Sequence, residues 1–217
     1  MKRLAVLLLF SLLGACAALE PKPNPALDTF RSVAPRSILI VPVVNESLEI
    51  DAGNYLLSTL PVQLAERGYY VFPVNTVKVV LEQEGFYEAA RVHQQPPEVL
   101  ARLFGADAIL YLTIKRWDAQ YVVTNTTVTV QLEYRMVAAD GTEIWREERT
   151  KQHSPQNQSQ AGQSKGSALI AALIGAAVAR ASPNYLPLAR DANRDAITYG
   201  RNAVPWGPYK PLEKPTK

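Results

Sequence analysis

The only cysteine of the 217-residue chain, Cys16, is the residue whose chemistry must be decided first. A thiol can act as a nucleophile, form a disulfide or carry a lipid, but one cysteine cannot form a disulfide within its own chain. No histidine is placed beside it, which argues against a catalytic thiol. Ahead of it lie a basic start, an apolar run over residues 4–13 and two small residues. This order predicts a secretory signal peptide over residues 1–15, with a core too short to span a bilayer permanently.

The tetrapeptide Leu13-Gly14-Ala15-Cys16 resembles the bacterial lipobox, in which the cysteine is acylated on sulfur and becomes the new N-terminus. The resemblance implies cleavage between Ala15 and Cys16 and a lipid bilayer as partner, because several acyl chains bind far more firmly than one. The alternative is a cysteine that is discarded with the signal peptide. Ala17, where aspartate could stand, is similar to the pattern that bacteria sort to the outer membrane. We therefore expect an outer-membrane lipoprotein whose domain faces the periplasm.

Two other patterns could suggest chemistry, and neither predicts an enzyme. Residues 162–166 match the G-x-S-x-G nucleophile elbow, but polar residues precede them and no histidine follows Ser164. We interpret this stretch as a linker. His93 and His153 lie in polar sequence, are expected on exposed loops and are too far apart for a recognisable metal site. The sequence predicts no enzyme activity, no cofactor and no metal.

The charge balance gives no reason to expect nucleic acid as a partner. The chain has 23 basic and 20 acidic residues, for a formal charge of +3. Lys2 and Arg3 belong to the predicted signal peptide, so the exported part has a charge of about +1. A nearly neutral domain lacks the basic field that nucleic-acid binding requires.

Hydrophobic periodicity predicts an α/β (α+β) fold with a mixed sheet. An apolar run at 37–44, an amphipathic helix at 55–67 capped by Asn54 and a strand at 69–74 predict one parallel βαβ unit. Alternation over 122–137 and the Asp140-Gly141 turn predict an antiparallel meander after it. The remaining elements are strands over 106–117 and 142–150, and helices over 76–83, from Pro96 and over 183–201.

The sequence divides into six parts. These are a signal peptide (1–15), a lipidated cysteine with a Pro-rich tether (16–35), an α/β domain (36–151), a flexible loop (152–166), C-terminal helices that pack on the domain or on a partner (167–203) and a Pro-rich tail (204–217). In the tail, Trp206 and Tyr209 could anchor the chain, but a frayed terminus is the favoured interpretation.

Residues 168–179 are apolar on every side of a predicted helix but too few to span a bilayer. Small residues let another helix approach closely along Ala172, Gly175, Ala176 and Ala179. One interpretation buries this helix under the protein's own sheet. The other assigns it to a partner, to a second copy in a homodimer, or to the bilayer.

Four segments in order resemble the TolB N-terminal domain and its relatives: ILIVPVVNES, LAERGYYVFPV, LARLFGADAILYLTI and YRMVAADGTEIW. They span roughly residues 37–150. With the lipobox and the segment NYLPLARDANRDA, the whole chain resembles a family of small bacterial lipoproteins of unassigned function that includes a neisserial vaccine-candidate surface antigen. It is similar, more distantly, to the periplasmic domain of the curli secretion channel and to a lipoprotein activator of penicillin-binding proteins.

The resemblance implies binding and assembly in the cell envelope and supplies no catalytic residues. We therefore expect a non-catalytic periplasmic adaptor or assembly factor, whose partners are other envelope lipoproteins, including a curli-channel-like protein, and a second copy of itself. The alternative is a small-molecule or peptidoglycan-binding module. Its ligand would lie at the carboxyl ends of the parallel strands, near Asn45 and Asn75.

Overall fold

A computed structural model describes residues 24–122, 125–153 and 185–210 of the chain. The predicted lipidation and cleavage site, Ala15 and Cys16, lies outside the described residues. The apolar stretch 168–179, with its proposed contact positions, and the G-x-S-x-G segment lie outside them as well. The expectations for these segments therefore stay predictions.

The described chain forms six helices and six strands after a short 3-10 turn at Pro25–Leu27. The sequence predicts their order except for the helices Asp28–Val33 and Ala89–His93 and the separate strand Val44–Asn45. The helices are α1 (Asp28–Val33), α2 (Ala52–Glu66), α3 (Val74–Gln83), α4 (Ala89–His93), α5 (Pro97–Phe104) and α6 (Leu186–Ile197). The strands are β1 (Ser37–Ile40), β2 (Val44–Asn45), β3 (Tyr70–Val71), β4 (Ala108–Val122), β5 (Asn125–Ala138) and β6 (Glu143–His153).

The strands form one mixed sheet in the order β3-β1-β4-β5-β6, with β2 also paired to β4. Parallel pairing joins β1 to β3 and β4, and β2 to β4. Antiparallel pairing joins β4 to β5 and β5 to β6. Gly141 has a φ of +88° in the turn between β5 and β6, a conformation that glycine adopts without strain. The predicted fold class, a βαβ half followed by an antiparallel meander and a C-terminal helix, is confirmed.

Both faces of the parallel half of the sheet are covered, because successive side chains of a strand point to opposite sides. Ile38 and Ile40 pack in one core with α1, α2 and α6, while Leu39 packs in a second core. The second core includes residues of α3, α4 and α5. The almost continuous apolar run of β1 thus reflects burial on two faces.

The two ends of the described chain depart from the sequence predictions. Residues 25–33, assigned to a tether, instead join the domain, because Phe30 is buried and packs edge-on against Tyr69 at 6.2 Å. The favoured interpretation of a frayed terminus is wrong for residues 204–210. The Arg67 guanidinium donates to the Val204 carbonyl at 2.7 Å and lies over the Trp206 ring at 4.4 Å.

A buried polar network attaches α6 to the rest of the domain. The Tyr134 hydroxyl of β5 donates to Asn193 Oδ1 at 2.7 Å. Asn193 Nδ2 in turn donates to Thr59 Oγ1 of α2 at 2.8 Å. Because Tyr134 and Asn193 are fully buried, these bonds are shielded from water. The predicted C-terminal helix therefore packs on this protein's own sheet along residues 186–197.

Candidate functional site

A pocket of about 580 Å³ opens at the carboxyl ends of the parallel strands. Its volume lies in the range of small-ligand and peptide-side-chain sites. Residues from the β1–α2 segment, the first turns of α2 and α3, and the α3–α4 turn line it. They are Ile40, Pro42, Val43, Asn45, Ile50, Gly53, Asn54, Leu57, Ser58, Val74, Asn75, Lys78, Glu82, Phe86, Tyr87 and Ala89. Asn45 and Asn75, the positions that the sequence singled out for a ligand, both line this pocket.

The pocket exists because the chain leaves the sheet at Pro42. Proline has no N–H to donate to a strand ladder, so β1 ends at Ile40 and pairing with β4 resumes only at Val44. The result is a break between two strands that both pair with β4. Helix α2 also starts earlier than predicted: Asp51 is its N-cap residue, and Asn54 lies in the first turn rather than at the cap.

The loop of residues 46–51, between β2 and α2, is held in one shape by hydrogen bonds around Asn45. Asn45 Nδ2 donates to the Glu49 carbonyl at 2.7 Å. Asn45 Oδ1 accepts from the Ser47 N–H at 3.0 Å and from the Ser47 hydroxyl at 2.6 Å. At its start the loop is tied to the sheet, where the Glu46 N–H donates to the Ile114 carbonyl at 2.9 Å. The Asn45 amide therefore serves the loop rather than pointing unused into the pocket.

The loop that is ordered by the hydrogen bonds of Asn45 exposes two large apolar side chains to solvent. Leu48 is 101% exposed and Ile50 is 91% exposed. Across the pocket, Tyr87 in the α3–α4 turn is 77% exposed. We call Leu48, Ile50 and Tyr87 the apolar rim. Single exposed apolar residues are ordinary, but three beside one pocket, two of them on a hydrogen-bonded loop, indicate an interaction surface.

The lining of the pocket carries one basic and one acidic residue. These are Lys78 and Glu82, which approach each other to 3.9 Å on successive turns of α3. In the sequence, the residues of the apolar rim have acidic neighbours: Glu49 and Asp51 flank Ile50, and Glu84 and Glu88 stand on either side of Tyr87. The ion pairs of the described chain include none of these last four carboxylates.

His93 stands below the pocket and is not the exposed loop residue that its polar neighbours predicted. It ends α4, half-buried, with its ring edge-on to Tyr111 at 5.1 Å. Its Nε2 lies 2.9 Å from the carbonyl oxygen of Pro42, a distance at which an N–H donates. Burial is the largest influence on its pKa and lowers it; the bond to Pro42 opposes that shift, and the positive charge of Arg135 adds to it. His93 thus supports the backbone at the point where β1 ends. His153 is exposed at the end of β6.

Amide, hydroxyl and apolar groups dominate the pocket, which suits it to binding. Among residues 24–122, 125–153 and 185–210, no group of three or more acidic, histidine or cysteine side chains could hold a metal ion. None of the helices described is long and apolar enough to cross a membrane. The sequence reasoning found Asn45 and Asn75 but missed Leu48 and Ile50. Their apolar character in an otherwise acidic loop was the signal that could have identified them.

A mixed sheet with helices on both faces, and a pocket at the carboxyl ends of its parallel strands, define an α+β domain with a candidate binding site. Residues 27–208 match the family described as "Putative lipoprotein GNA1162-like", and the chain belongs to this family. The predicted family is thus confirmed, and the chain is a member of a lipoprotein family. The function of the family is unassigned.

Known proteins support this assignment. The chain is 29% identical over 209 residues to the lipoprotein NMB1124/NMB1162 of Neisseria meningitidis serogroup B, an alignment that covers 94% of each chain. It is similar to the crystal structure of lipoprotein GNA1162 from Neisseria meningitidis, with 30% identity and a TM-score of 0.54 over 69% of this chain and 100% of that one. The LpoB C-terminal domain from Salmonella enterica has 20% identity and a TM-score of 0.40 over 58% of this chain and 93% of that one. A likeness this low carries no conclusion about function.

Proposed function

We propose that this lipoprotein is a non-catalytic adaptor or assembly factor, anchored by acylated Cys16 to the inner leaflet of the outer membrane. Its domain works in the periplasm by binding other envelope proteins. An anchor concentrates the domain in two dimensions and raises its effective concentration toward neighbours on the same membrane. The partners proposed are other lipoproteins, including a curli-channel-like protein, and a second copy of the chain.

The observation that carries this proposal is the ordered loop that keeps Leu48 and Ile50 almost wholly in solvent. Burying an apolar side chain of this size yields roughly 1.5–3 kcal/mol. A domain that holds two of them out of its core, on a loop fixed by hydrogen bonds, forgoes that stabilisation in the free state. A partner that covers them recovers it, which supports protein binding as the role of this end of the domain.

In-membrane crosslinking with mass spectrometry tests the proposal, comparing the intact chain with Cys16→Ser. We expect the intact chain to carry fatty acid, to fractionate with the outer membrane and to crosslink to one or a few envelope proteins. The Cys16→Ser chain should lose the fatty acid and most of the crosslinks while its domain stays folded. An acyl-free wild-type protein, or equal crosslinking by both chains, contradicts the anchor. No crosslinked partner in either chain contradicts the adaptor role.

A second function, the binding of a small molecule or peptidoglycan fragment, is favoured by the volume of the pocket and by the amides that line it. Asn75 is exposed in the first turn of α3 and is available to hydrogen bond a ligand. Calorimetric titration with purified peptidoglycan fragments tests this function. Binding that is lost in Asn75→Leu supports it, and the absence of heat at millimolar fragment concentration rejects it.

A further inference from the structure

We propose that the apolar rim and the pocket beside it dock a segment of a partner protein whose apolar side chains are flanked by lysine or arginine. This inference rests on the proposed adaptor function and adds the surface and the chemistry of its partner.

Two of the three residues of the apolar rim line the pocket. Ile50, from the loop between β2 and α2, and Tyr87, from the α3–α4 turn, line the same pocket, and Leu48 projects from the loop that carries Ile50. The lining also includes Val43, Leu57 and Val74, so an apolar side chain that enters the pocket meets apolar surface. A pocket with such a lining suits one or two anchor side chains of a peptide, as at the centre of many protein interfaces.

The loop that carries Leu48 and Ile50 is ordered before a partner binds. The Asn45 amide makes three hydrogen bonds within the loop, and the Lys115 ammonium donates to Glu46 Oε1 at 3.1 Å at its base. A loop that is already ordered loses little conformational entropy when a partner binds. The side chains of Leu48 and Ile50 are therefore presented in advance.

Acidic residues adjoin the apolar rim in the sequence. Glu49 and Asp51 flank Ile50 in the sequence, Glu88 follows Tyr87, and Glu84 stands three positions before Tyr87. Lys78, the basic residue of the lining, already lies beside Glu82. A partner segment with flanking basic residues is complementary to this border. An anionic lipid surface is repelled by it, so the charge favours a protein segment over the bilayer.

The place where the first described residues contact the domain also favours a protein segment over the bilayer. Asn24 Nδ2 donates to the Arg201 carbonyl at 2.9 Å, and the Asn202 carbonyl accepts from Trp145 of β6 at 2.7 Å. Asn24, the first residue that the structure describes, thus lies on the β6 side of the sheet. The apolar rim lies beyond β4, two strands away, and is free to face a partner.

The test places a photo-crosslinking residue at position 50 or 87 of the full lipid-anchored chain in intact cells, with position 62 as a matched control. Val62 is 54% exposed on α2 and does not line the pocket. We expect crosslinks from positions 50 and 87 to one protein. The crosslinked peptide, sequenced by mass spectrometry, should carry apolar residues within a few positions of lysine or arginine.

Substitutions add a quantitative arm, read as the crosslink yield at position 87. Leu48→Ser and the double change Glu49→Lys with Asp51→Lys should each reduce the yield about tenfold or more, because each removes an anchor or reverses the border charge. Val62→Ser should leave the yield unchanged. Leu48, Asp51 and Val62 are exposed and Glu49 is partly exposed, so unfolding temperatures should match that of the wild-type chain. Equal yields in every variant overturn the proposal.

The remaining outcomes separate this inference from the function on which it rests. Crosslinks from position 62 but not from 50 or 87 overturn the docking surface and leave the adaptor role standing. Crosslinks from position 50 to lipid, or to an acidic segment of a protein, overturn the partner chemistry. Failure to crosslink from all three positions rejects the inference and the adaptor function together.

Discussion

The network Tyr134–Asn193–Thr59 makes a quantitative prediction about what attaches the C-terminal helix. Asn193→Ala removes two hydrogen bonds, of 2.7 Å and 2.8 Å, whose members are 0% to 6% exposed. Thr59 keeps its own bond to the Leu56 carbonyl, so the hydroxyl of Tyr134 is the group left buried without a partner. An orphaned buried donor costs about 1–3 kcal/mol and a lost neutral hydrogen bond about 0.5–1.5 kcal/mol. We therefore expect Asn193→Ala to lower the free energy of unfolding by about 2–4 kcal/mol.

The assay is urea unfolding of a chain that begins at residue 24, followed by circular dichroism. Tyr134→Phe and the double variant complete a double-mutant cycle, in which the coupling energy should be about 1–2 kcal/mol because the two side chains share a bond. Asp191→Asn, on the exposed face of the same helix, is the control and should stay within about 0.5 kcal/mol of wild type. If Asn193→Ala costs less than about 1 kcal/mol, or if the single costs simply add, the network does not hold α6 in place.

Two further predictions concern pH and close backbone packing. The pKa of His93 is lowered chiefly by burial, so the unfolded chain binds more protons than the folded one below about pH 6.5. The free energy of unfolding should consequently fall as the pH drops through the pKa of His93 in the unfolded chain toward its lower pKa in the folded chain. His93→Gln should flatten that dependence in urea titrations at pH 7.5 and 5. An unchanged pH dependence in the variant would assign the effect to another group. Gly207→Ala should release the residues after 204 to limited proteolysis, because its Cβ would overlap the carbonyl oxygen of Gly68 and lie 2.7 Å from the carbonyl carbon. Gly53→Ala meets only an ordinary contact at 3.7 Å and should be neutral or stabilising by up to about 1 kcal/mol, so equal protease sensitivity of the two variants would contradict this packing.

The sequence predicts the architecture well because the strands carry their own signal. Alternation along β5 identifies the buried face, and Val130, Leu132 and Tyr134 are indeed fully buried in one core. Gly105 ends α5 with a φ of +70°, a conformation that glycine adopts readily at the end of a helix. These features are local, so a single sequence is enough to read them.

Contacts between distant segments are what the sequence could not supply. The burial of Phe30 depends on Tyr69, and the docking of the C-terminal segment depends on Arg67 and Gly68, more than a hundred residues away in the chain. His93 was assigned to an exposed loop because its neighbours are polar. Its environment is set instead by Tyr111 and by the break in the sheet at Pro42.

The candidate site was found in part for a topological reason. Parallel strands end at the same edge of a sheet, so the sequence alone could place Asn45 and Asn75 near each other. Leu48 and Ile50 were missed because apolar residues at a spacing of two, just after a strand, are typical of a strand that continues. The hydrogen bonds of Asn45 turn that stretch into a loop and expose both side chains.

The buried network and the apolar rim share no residue. The antiparallel half, with α6, contains Tyr134 and Asn193 of the buried network and the ion pair between Lys151 and Asp195, while the third member of the network, Thr59, lies on α2. The parallel half ends early at Pro42 and uses the freed backbone to form the pocket and its apolar rim. Because the network and the rim share no hydrogen bond, changes in one should leave the other intact. The stability of this domain and the proposed docking surface are therefore open to independent change by substitution, which would let the proposed adaptor acquire new partners without losing its fold.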